Sequence, residues 1–233
     1  MEKHNDNYVA FMDLMGFGDF VRCESHGRVG EYLRAFAGFA AAFNVAGLGI
    51  GIRIFSDSAI LNLPDDGRPD TYHKFLLYAC NLQLAALTAP ELGVLPLRGS
   101  VTKGAYAADG GMLTYGRALV DAYEMENQMA VYPRMLVSPE DYKPENAKAL
   151  DLDEKAITVR RDFDGLLHLN YLSAVYGSPG KWIPQGSQYV AAHGDFIARN
   201  LKKHRGNKRT LAKYEWMKNY HNWFCEGFDY LTI

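Results

Sequence analysis

Two aspartates stand where carboxylates are suited to metal chemistry. Asp13 ends an apolar run at residues 8–13, just before a glycine-rich bend, and Asp57 stands at a tight Ser-Asp-Ser corner. Carboxylate oxygens are the hard ligands that Mg²⁺ and Mn²⁺ prefer, and these ions keep positions for water and substrate phosphates. A pair of such ions can activate an attacking oxygen and neutralise a leaving one. If the fold brings Asp13 and Asp57 together, the sequence predicts a two-metal site for phosphoryl transfer.

Neighbouring residues favour an anionic substrate. The glycine-rich bend opens a predicted helix, and the backbone amides of Phe17 and Gly18 are expected to bind an anion at the helix N-terminus. Arg98, on a later predicted strand, adds positive charge near the phosphates. Arg53 lies four residues before Asp57 and, by strand alternation, is expected on the same side. We therefore expect Arg53 to reach the base of a bound nucleotide.

The elements that must position these residues follow an α+β order. Short apolar runs predict strands at residues 8–13, 52–55, 59–63, 97–104 and 134–137. Apolar residues at helical spacing predict helices at residues 28–44, 72–92 and 116–129, the last with Asp121, Glu124 and Glu126 on its solvent side. The two strands around the Ser-Asp-Ser corner form a hairpin with Asp57 at its tip. This order predicts helices covering one face of a mainly antiparallel sheet.

The C-terminal part is predicted to be a helical extension. A hairpin is expected at residues 156–161 and 165–172, followed by a Gly/Pro/Ser-rich linker at 176–186 and helices at 187–204 and 208–224. The predicted division is a core domain at 1–175 and an extension at 185–233 that packs on the core or on a dimer partner. The basic run 202–209 is interpreted as a solvated helix end and turn, because Lys and Arg favour helix C-termini. Two alternative interpretations of this run are that it binds RNA or that it covers the substrate of a neighbouring subunit.

Composition limits the possible partners. The net charge is −2, so no global basic field attracts DNA or RNA, and we expect neither as a partner. No apolar run is long enough to span a membrane, and residues 1–7 lack the apolar core of a signal peptide. Cys23, Cys80 and Cys225 have no Cys-x-x-Cys pairing and are interpreted as buried thiols in a reducing compartment. We expect a cytoplasmic protein.

These motifs resemble the catalytic domains of the class III nucleotide cyclases. Residues 13–17, Asp-Leu-Met-Gly-Phe, match the metal-binding Asp-x-x-Gly-Phe turn of that family, and Asp57 stands at the tip of the following hairpin, as the family's second metal aspartate does. Residues 98–104 echo its Arg-x-Gly-x-x-x-Gly strand, with Ser100 in place of the first Gly. The resemblance implies a ferredoxin-like cyclase domain. It also implies two Mn²⁺ or Mg²⁺ ions on Asp13, Asp57 and the Leu14 carbonyl, and contact between Arg98 and a triphosphate.

In detail the chain is more similar to one branch, the Pycsar uridylate cyclases of bacterial antiphage defence. The similarity spans nearly the whole chain and is carried by Phe-Ser-Asp-Ser at 55–58, residues 115–124, Tyr-Pro-Arg at 132–134 and residues 213–222. It implies a homodimer with sites at the interface, where the late helix or the basic run of one chain completes the partner's site. It implies cyclisation of UTP to a 3′,5′-cyclic monophosphate that acts on a separate effector, with CTP as the alternative substrate.

The chain departs from adenylate and guanylate cyclases at three positions. Arg53 stands where those enzymes carry a base-reading Lys or Glu, which makes it a candidate donor to a pyrimidine carbonyl. Val120 and Glu124 stand where their transition-state Asn and Arg are expected. Two interpretations from other classes stay open: a two-metal phosphodiesterase or nuclease, which hydrolyses with water, and a nucleotide-binding module without turnover.

Overall fold

A computed structural model describes residues 6–43, 49–89, 92, 95–109, 113–142, 154–178, 181–228 and 231–233. The strands are β1 Asp6–Leu14, β2 Gly51–Phe55, β3 Ser58–Pro64, β4 Leu97–Ala105, β5 Ala107–Ala108, β6 Thr114–Tyr115, β7 Met135–Val137, β8 Val159–Arg161, β9 Leu167–Leu169, β10 Tyr176–Ser178 and β11 Lys181–Trp182. The helices are α1 Phe17–Cys23, α2 His26–Phe43, α3 Pro69–Thr88, α4 Arg117–Met129, α5 Gly186–Lys203 and α6 Lys208–Phe224. Short 3-10 turns lie at Glu154–Ala156 and Tyr171–Val175.

Seven of the strands form one sheet in the order β2-β3-β1-β4-β7-β9-β8. All neighbouring pairs are antiparallel except β4 and β7, which run parallel. The predicted α+β class, with covering helices on an antiparallel-dominated sheet, is confirmed. The two strands nearest the centre of the order, β1 and β4, pair along nine residues, so the middle of the sheet is well fixed in register.

Alternation along β1 separates the two faces of the sheet. Ala10, Met12 and Leu14 are buried in the large apolar core that α2 and α3 cover. Phe11 and Asp13 lie on the opposite face, because successive strand residues point to opposite sides. Helix α4 lies against β1 and β4, and leaves the β2 and β3 part of that face without a covering helix among the described residues. Asp13 is therefore on the less covered face.

Small residues and hydroxyl groups bring α4 close to the sheet. Ser100 Oγ donates to the Ala122 carbonyl and Thr102 Oγ1 donates to the Ala118 carbonyl. Gly99 is needed where β4 meets β1, because a Cβ there would lie 2.2 Å from the carbonyl oxygen of Phe11. These contacts hold the start of β4, and with it Arg98, against the end of β1.

The C-terminal helices share the core of the sheet domain. Val190, Ile197, Met217 and Phe224 belong to the same buried apolar cluster as the central strands. Helix α5 packs on α3 and α6. The predicted helices at 187–204 and 208–224 correspond to α5 and α6 within one residue. The division into a core at 1–175 and an extension at 185–233 stays a prediction.

Several predicted boundaries were wrong. The helix predicted at 72–92 begins at Pro69, whose fixed φ suits a first turn, and ends at Thr88 because Ala89, which precedes Pro90, is extended. The strand predicted to reach residue 172 ends at Leu169 and gives way to a 3-10 turn. The predicted linker contains the β10–β11 hairpin.

Cys80 and Cys225 are buried, as predicted, but Cys23 is exposed at the end of α1. All three cysteines are free thiols. In the described part of the chain, no helix is both long enough and apolar enough to cross a membrane. Residues 1–5, part of the polar N-terminus, lie outside the described residues.

Candidate functional site

The fold brings the two aspartates to one end of two neighbouring strands. Asp13 is paired with Ser58 in the β1–β3 register, so Asp57 directly precedes the cross-strand partner of Asp13. The Leu14 N–H donates to the Asp57 carbonyl oxygen at 2.9 Å, which ties the Asp57 backbone to the end of β1. The backbone thus places both residues at the same end of the neighbouring strands β1 and β3, as the predicted two-metal site requires.

The corner that presents Asp57 is strained. Ser56 and Asp57 form a two-residue turn between β2 and β3, and Ser56 has φ 55. Among the described residues, Ser56 is the only non-glycine residue with positive φ. Residues other than glycine rarely adopt this backbone conformation, which costs on the order of 1–3 kcal/mol and is often found at functional sites. The surrounding hairpin therefore imposes a turn that fixes where the Asp57 backbone lies.

Arg98 is a cation between two carboxylates. It is the cross-strand partner of Asp13 on β4, and its Nε donates to Asp13 Oδ2 at 2.9 Å. The same Nε lies 2.7 Å from Oε1 of Glu126 on α4. The Arg98, Asp13 and Glu126 side chains are 30%, 18% and 4% exposed. Burial raises the pKa of Glu126, Arg98 lowers it, and Asp13 raises it further.

Lys213, on helix α6, is near enough to Arg98 and Asp13 for their charges to act on its pKa. Burial lowers the pKa of Lys213, Arg98 and Arg209 lower it further, and Asp13 raises it, so its ammonium lies within the field of both Arg98 and Asp13. Trp216, one turn further along α6, stacks on Tyr132 close to the start of β4. Lys213 has no hydrogen bond or ion pair to a carboxylate within the described ranges.

Arg53 lies on the same face as Asp13 but farther from the strand end. In the register of the sheet Arg53 is beside Ile60, which is beside Phe11, and directly paired residues share a face. Asp57 stands in the turn beyond the end of β2, so, contrary to the prediction, strand alternation does not relate its side to that of Arg53. Within β2, alternation puts Phe55 on the same side as Arg53. Arg53 also acts on the pKa of Tyr106, which burial raises and Arg53 lowers. Arg53 pairs with no carboxylate in the part of the chain that the structure describes.

The amides of Phe17 and Gly18 stand at the start of α1, directly after the Asp13 strand. Gly16 precedes the helix with φ 86, a left-handed conformation that suits glycine. The Gly16 carbonyl accepts from the amides of Asp19 and Phe20. The Phe17 and Gly18 amides have no acceptor among the described residues, as expected of the first positions of a helix.

Comparison with solved structures identifies the fold. The monomeric guanylyl cyclase domain of the RhoGC fusion protein from the aquatic fungus Blastocladiella emersonii aligns with a TM-score of 0.54 and 13% identity, covering 71% of this chain and 95% of that one. A guanylate cyclase domain from Catenaria anguillulae, solved with GTP, aligns with a TM-score of 0.52 and 14% identity, covering 71% and 94%.

This chain has the fold of a nucleotide cyclase catalytic domain. A dimeric form of the Blastocladiella emersonii domain also aligns, with a TM-score of 0.53 and 13% identity over 71% of this chain and 93% of that one. No protein-family model and no curated protein sequence matches the chain. At these identities the cyclase likeness concerns the fold, so the resemblance to class III cyclases is confirmed at that level. The narrower resemblance to uridylate cyclases stays a prediction.

The residues at the end of β1 fit a divalent cation that keeps water and phosphate ligands. The described residues contain no group of three or more His, Cys, Asp or Glu side chains arranged to hold a metal. Two carboxylates and one backbone carbonyl are nonetheless the kind of partial oxygen shell that Mg²⁺ accepts when a substrate phosphate supplies the rest. The buried Oε1 of Glu126 also lacks an aligned hydrogen-bond donor. Beside Asp13 and Arg98 the structure therefore has one buried carboxylate oxygen whose hydrogen bonding is incomplete.

Two residues of this site escaped the sequence-based prediction. Glu126 was expected on the solvent side of its helix, but it is only 3% exposed. The signal was present, since Ala118, Ala122 and Glu126 recur every four residues and so share the face that packs on the sheet. Lys213 had no comparable signal, because its approach to Arg98 depends on how α6 packs.

Proposed function

We propose that this protein is a nucleotidyl cyclase, with UTP as the favoured substrate and CTP as the alternative. The ribose 3′-oxygen attacks the α-phosphorus, the bond between the α-phosphorus and the β-phosphate oxygen breaks, and the 3′-hydroxyl proton is released. The products are a 3′,5′-cyclic monophosphate and pyrophosphate. The observation that carries the proposal is the meeting of Asp13, Asp57 and Arg98 at one strand end of a cyclase fold.

The proposed division of labour follows from the chemistry of each residue. Asp13, Asp57 and the Leu14 carbonyl hold two Mn²⁺ or Mg²⁺ ions, which when bound lower the pKa of the 3′-hydroxyl and offset developing negative charge. The Phe17 and Gly18 amides and the Arg98 guanidinium bind the triphosphate, because backbone N–H groups and guanidinium donors are suited to phosphate oxygens.

Arg53 is the proposed contact to the base. A guanidinium has donors and no acceptor, so it favours a base edge that presents carbonyl oxygens and disfavours one that presents an amino group. Uracil presents two carbonyls, whereas cytosine presents one carbonyl and an amino group. Arg53 is half-buried on the open face, two residues before Phe55 on the same strand. Phe55 pairs with Ser58, which in turn pairs with Asp13, so Arg53 lies on the same face as Asp13. This placement supports UTP over CTP.

Replacing Arg53 should reduce base selectivity more than it reduces stability. For Arg53→Ala we expect kcat/KM with UTP to fall about 5- to 160-fold, since a good contact between a side chain and a base is worth about 1–3 kcal/mol. The ratio of UTP to CTP turnover should move towards one. Steady-state kinetics with both nucleotides checks this, with Arg199→Ala on the exposed side of α5 as control. Unchanged rate and unchanged preference would reject the role of Arg53.

Lys213 is the proposed source of the transition-state charge that Val120 and Glu124 do not supply. We expect Lys213→Met to lower kcat roughly 10²- to 10³-fold, the typical effect of removing one preorganised donor to a developing anion. KM should change less than kcat, and Lys213→Arg should recover part of the rate. Lys218→Met is the control, since five residues along a helix turn that side chain about 140° away.

Both kinetic constants and the melting temperature of each Lys213 variant should be measured. A loss of activity that only follows a loss of melting temperature would assign Lys213 a structural role instead. A full rate in a well-folded Lys213→Met protein would exclude it from the reaction.

A homodimer is proposed on the strength of exposed apolar side chains beside the site. Phe55 is 84% exposed and shares its face with Asp13, and Val120 and Tyr123 on α4 are 52% and 51% exposed. Tyr123 packs edge-to-face on Phe11, so α4 and β1 contribute to one apolar surface. A second copy that covers this surface would bury Phe55 next to both metal aspartates. Dimerisation would thereby also shield the site from water.

The biological role rests on the sequence resemblance. We propose that the cyclic nucleotide is a second messenger in bacterial antiphage defence, that a separate cyclic-nucleotide effector reads it, and that the protein is cytoplasmic. Neither DNA, RNA nor a membrane is required for the reaction. The resemblance to Pycsar uridylate cyclases, over residues 55–58, 115–124 and 213–222, supports this assignment.

The decisive experiment incubates the purified protein with Mn²⁺ and each of the four ribonucleoside triphosphates, and identifies the products by mass. A 3′,5′-cyclic monophosphate from UTP, with less from CTP, is the expected result. A linear monophosphate alone would favour the phosphodiesterase or nuclease. Nucleotide binding without any product, and with an affinity in metal-free buffer that Asp57→Ala leaves unchanged, would favour a binding module. No cyclic product from any nucleotide, with protein that is folded and dimeric, would overturn the cyclase.

A further inference from the structure

Arg98 contacts two carboxylates, whereas a cross-strand ion pair needs only one. An Arg–Asp pair between β1 and β4 explains the 2.9 Å bond from Arg98 Nε to Asp13 Oδ2. It does not explain why Glu126, on another element and only 3% exposed, brings Oε1 to 2.7 Å from the same Nε. Burying a second carboxylate beside a single guanidinium is unfavourable, so a structural role alone accounts poorly for Glu126.

The hydrogen bonding of Glu126 is incomplete. The Nε atom carries one hydrogen, and that hydrogen is directed at Asp13. Glu126 Oε1 is therefore close to a positive charge without receiving an aligned hydrogen bond, and none of the other described residues donates to it. A buried acceptor left in this state is costly, and gaining a donor would relieve that cost. Glu126 Oε1 is thus available to accept a hydrogen bond from the Arg98 guanidinium.

Asp13, in contrast, has two competing uses. The proposed function needs its carboxylate as a metal ligand, yet its Oδ2 accepts from Arg98. A guanidinium beside this carboxylate repels a divalent cation, and a carboxylate oxygen engaged by Arg98 is a poorer metal ligand. Metal binding at Asp13 therefore requires Arg98 to weaken or give up this bond while staying close enough to bind phosphate.

We infer that Glu126 is a positioning residue for Arg98: when a divalent cation occupies Asp13, Arg98 transfers its Nε hydrogen bond from Asp13 to Glu126. This inference rests on the proposed function. The internal Asp13–Arg98 pair holds the site together without metal, and Glu126 retains the guanidinium beside the triphosphate once the metal is bound. Because Asp13 Oδ2 and Glu126 Oε1 already lie 2.9 Å and 2.7 Å from the same Nε, the exchange redirects one hydrogen and needs no approach of another element.

The exchange predicts opposite effects of two substitutions on metal affinity. Arg98→Met removes the competing cation and should tighten Mn²⁺ binding in the absence of nucleotide by roughly fivefold or more, the usual scale of coupling between two bound groups. Glu126→Gln removes the charged alternative acceptor, so Arg98 stays on Asp13 and Mn²⁺ binding should weaken by a similar factor. A purely structural role for the pair would shift the melting temperature and leave the affinity unchanged.

The measurement is Mn²⁺ affinity, read from the electron paramagnetic resonance signal of free aqueous Mn²⁺. Glu126→Gln could weaken Mn²⁺ binding either by preventing the transfer of the Arg98 hydrogen bond or simply by removing a negative charge near the metal. A double-mutant cycle with Arg98→Met separates these two effects. If Glu126 acts through Arg98, Glu126→Gln should have little effect in the Arg98→Met background. Glu31→Gln, on the exposed side of α2, is the control. Glu126→Asp, which keeps the charge but shortens the reach, should weaken binding less, and it replaces Glu126→Gln if that variant fails to fold.

The outcomes separate this inference from the function on which it rests. If Asp13→Asn abolishes Mn²⁺ binding, but Glu126→Gln weakens binding equally with and without Arg98, the exchange is wrong and the metal site stands. Unchanged affinity in both Arg98→Met and Glu126→Gln would overturn the exchange in the same way. If Asp13→Asn leaves the affinity unchanged, or if wild type and Arg98→Met bind no Mn²⁺, the proposed metal site itself fails and the exchange fails with it.

Discussion

Asp13→Asn and Asp57→Asn should each lower kcat/KM for cyclic nucleotide formation by roughly 10²- to 10³-fold or more, because each removes negative charge that the bound metals need. The amide keeps the shape of the carboxylate, so the backbone bond from Leu14 to Asp57 should survive. We expect melting temperatures within a few degrees of wild type, since an amide oxygen can still accept from Arg98 and the Glu126 carboxylate stays beside its Nε.

Three measurements check this expectation: product formation by chromatography, Mn²⁺ affinity and thermal unfolding. Asp195→Asn, on the exposed side of α5, is the matched control and should retain full activity. A well-folded Asp13→Asn protein with more than about a tenth of the wild-type rate would place the metal site elsewhere. Loss at Asp13 alone, with full activity in Asp57→Asn, would reduce the proposed metal set to one aspartate.

Arg134→Met should be the most destabilising of the substitutions considered. The Arg134 guanidinium is fully buried and forms ion pairs with Asp162 and Asp164 on the β8–β9 hairpin. Trp216 Nε1 donates to Asp162 Oδ2 at 2.8 Å, so the same cluster ties helix α6 to the sheet. Removing one partner of a buried ion pair leaves uncompensated charge and typically costs about 3–5 kcal/mol. We expect the lower end of that range, because Asp164 is 30% exposed.

Urea unfolding followed by circular dichroism measures this loss, with Arg199→Met on the surface of α5 as control. The free energy of unfolding of the control should change by no more than about 0.5 kcal/mol. Because α6 carries Lys213, Arg134→Met should also reduce cyclase activity at temperatures where the variant is folded. A loss of stability below about 1 kcal/mol would mean that Asp162 and Asp164 tolerate the removal of their cationic partner.

The pH dependence of this stability follows from Asp164. Burial acts to raise the pKa of Asp164, but hydrogen bonds from Arg134 and from the Leu166 amide lower it below the ordinary value of 3.8. A carboxyl whose pKa is lower in the folded state stabilises the protein above its unfolded pKa, and this contribution is lost as pH falls through the folded value. Wild type should therefore lose stability below about pH 4, and Arg134→Met should lose less of it over the same range.

The placement of Asp13 and Asp57, the candidate metal ligands, at strand ends was readable from the sequence because it depends on local patterns. Asp13 ends an apolar run, and Asp57 stands between two runs short enough to form a hairpin. That β1 lies beside β3 was decided by the tertiary structure. Helices α2, α3 and α4 followed from apolar spacing. Their exact ends were less predictable, as the extended Ala89 shows, since a boundary depends on single residues rather than on a period.

The tertiary structure decided the contacts between elements distant in the chain. Glu126 contacts Arg98 because α4 packs its Ala118 and Ala122 face on β4. The charge of Arg98 reaches Lys213 because the Arg134 cluster ties α6 to the sheet. Neither relation has a local signal, since each depends on how two surfaces fit together. The sequence alone identified Asp13 and Asp57 as the candidate metal ligands of the proposed reaction. Only the packing of α4 and α6 determined which charges surround Asp13, because electrostatic fields act through space and not along the chain.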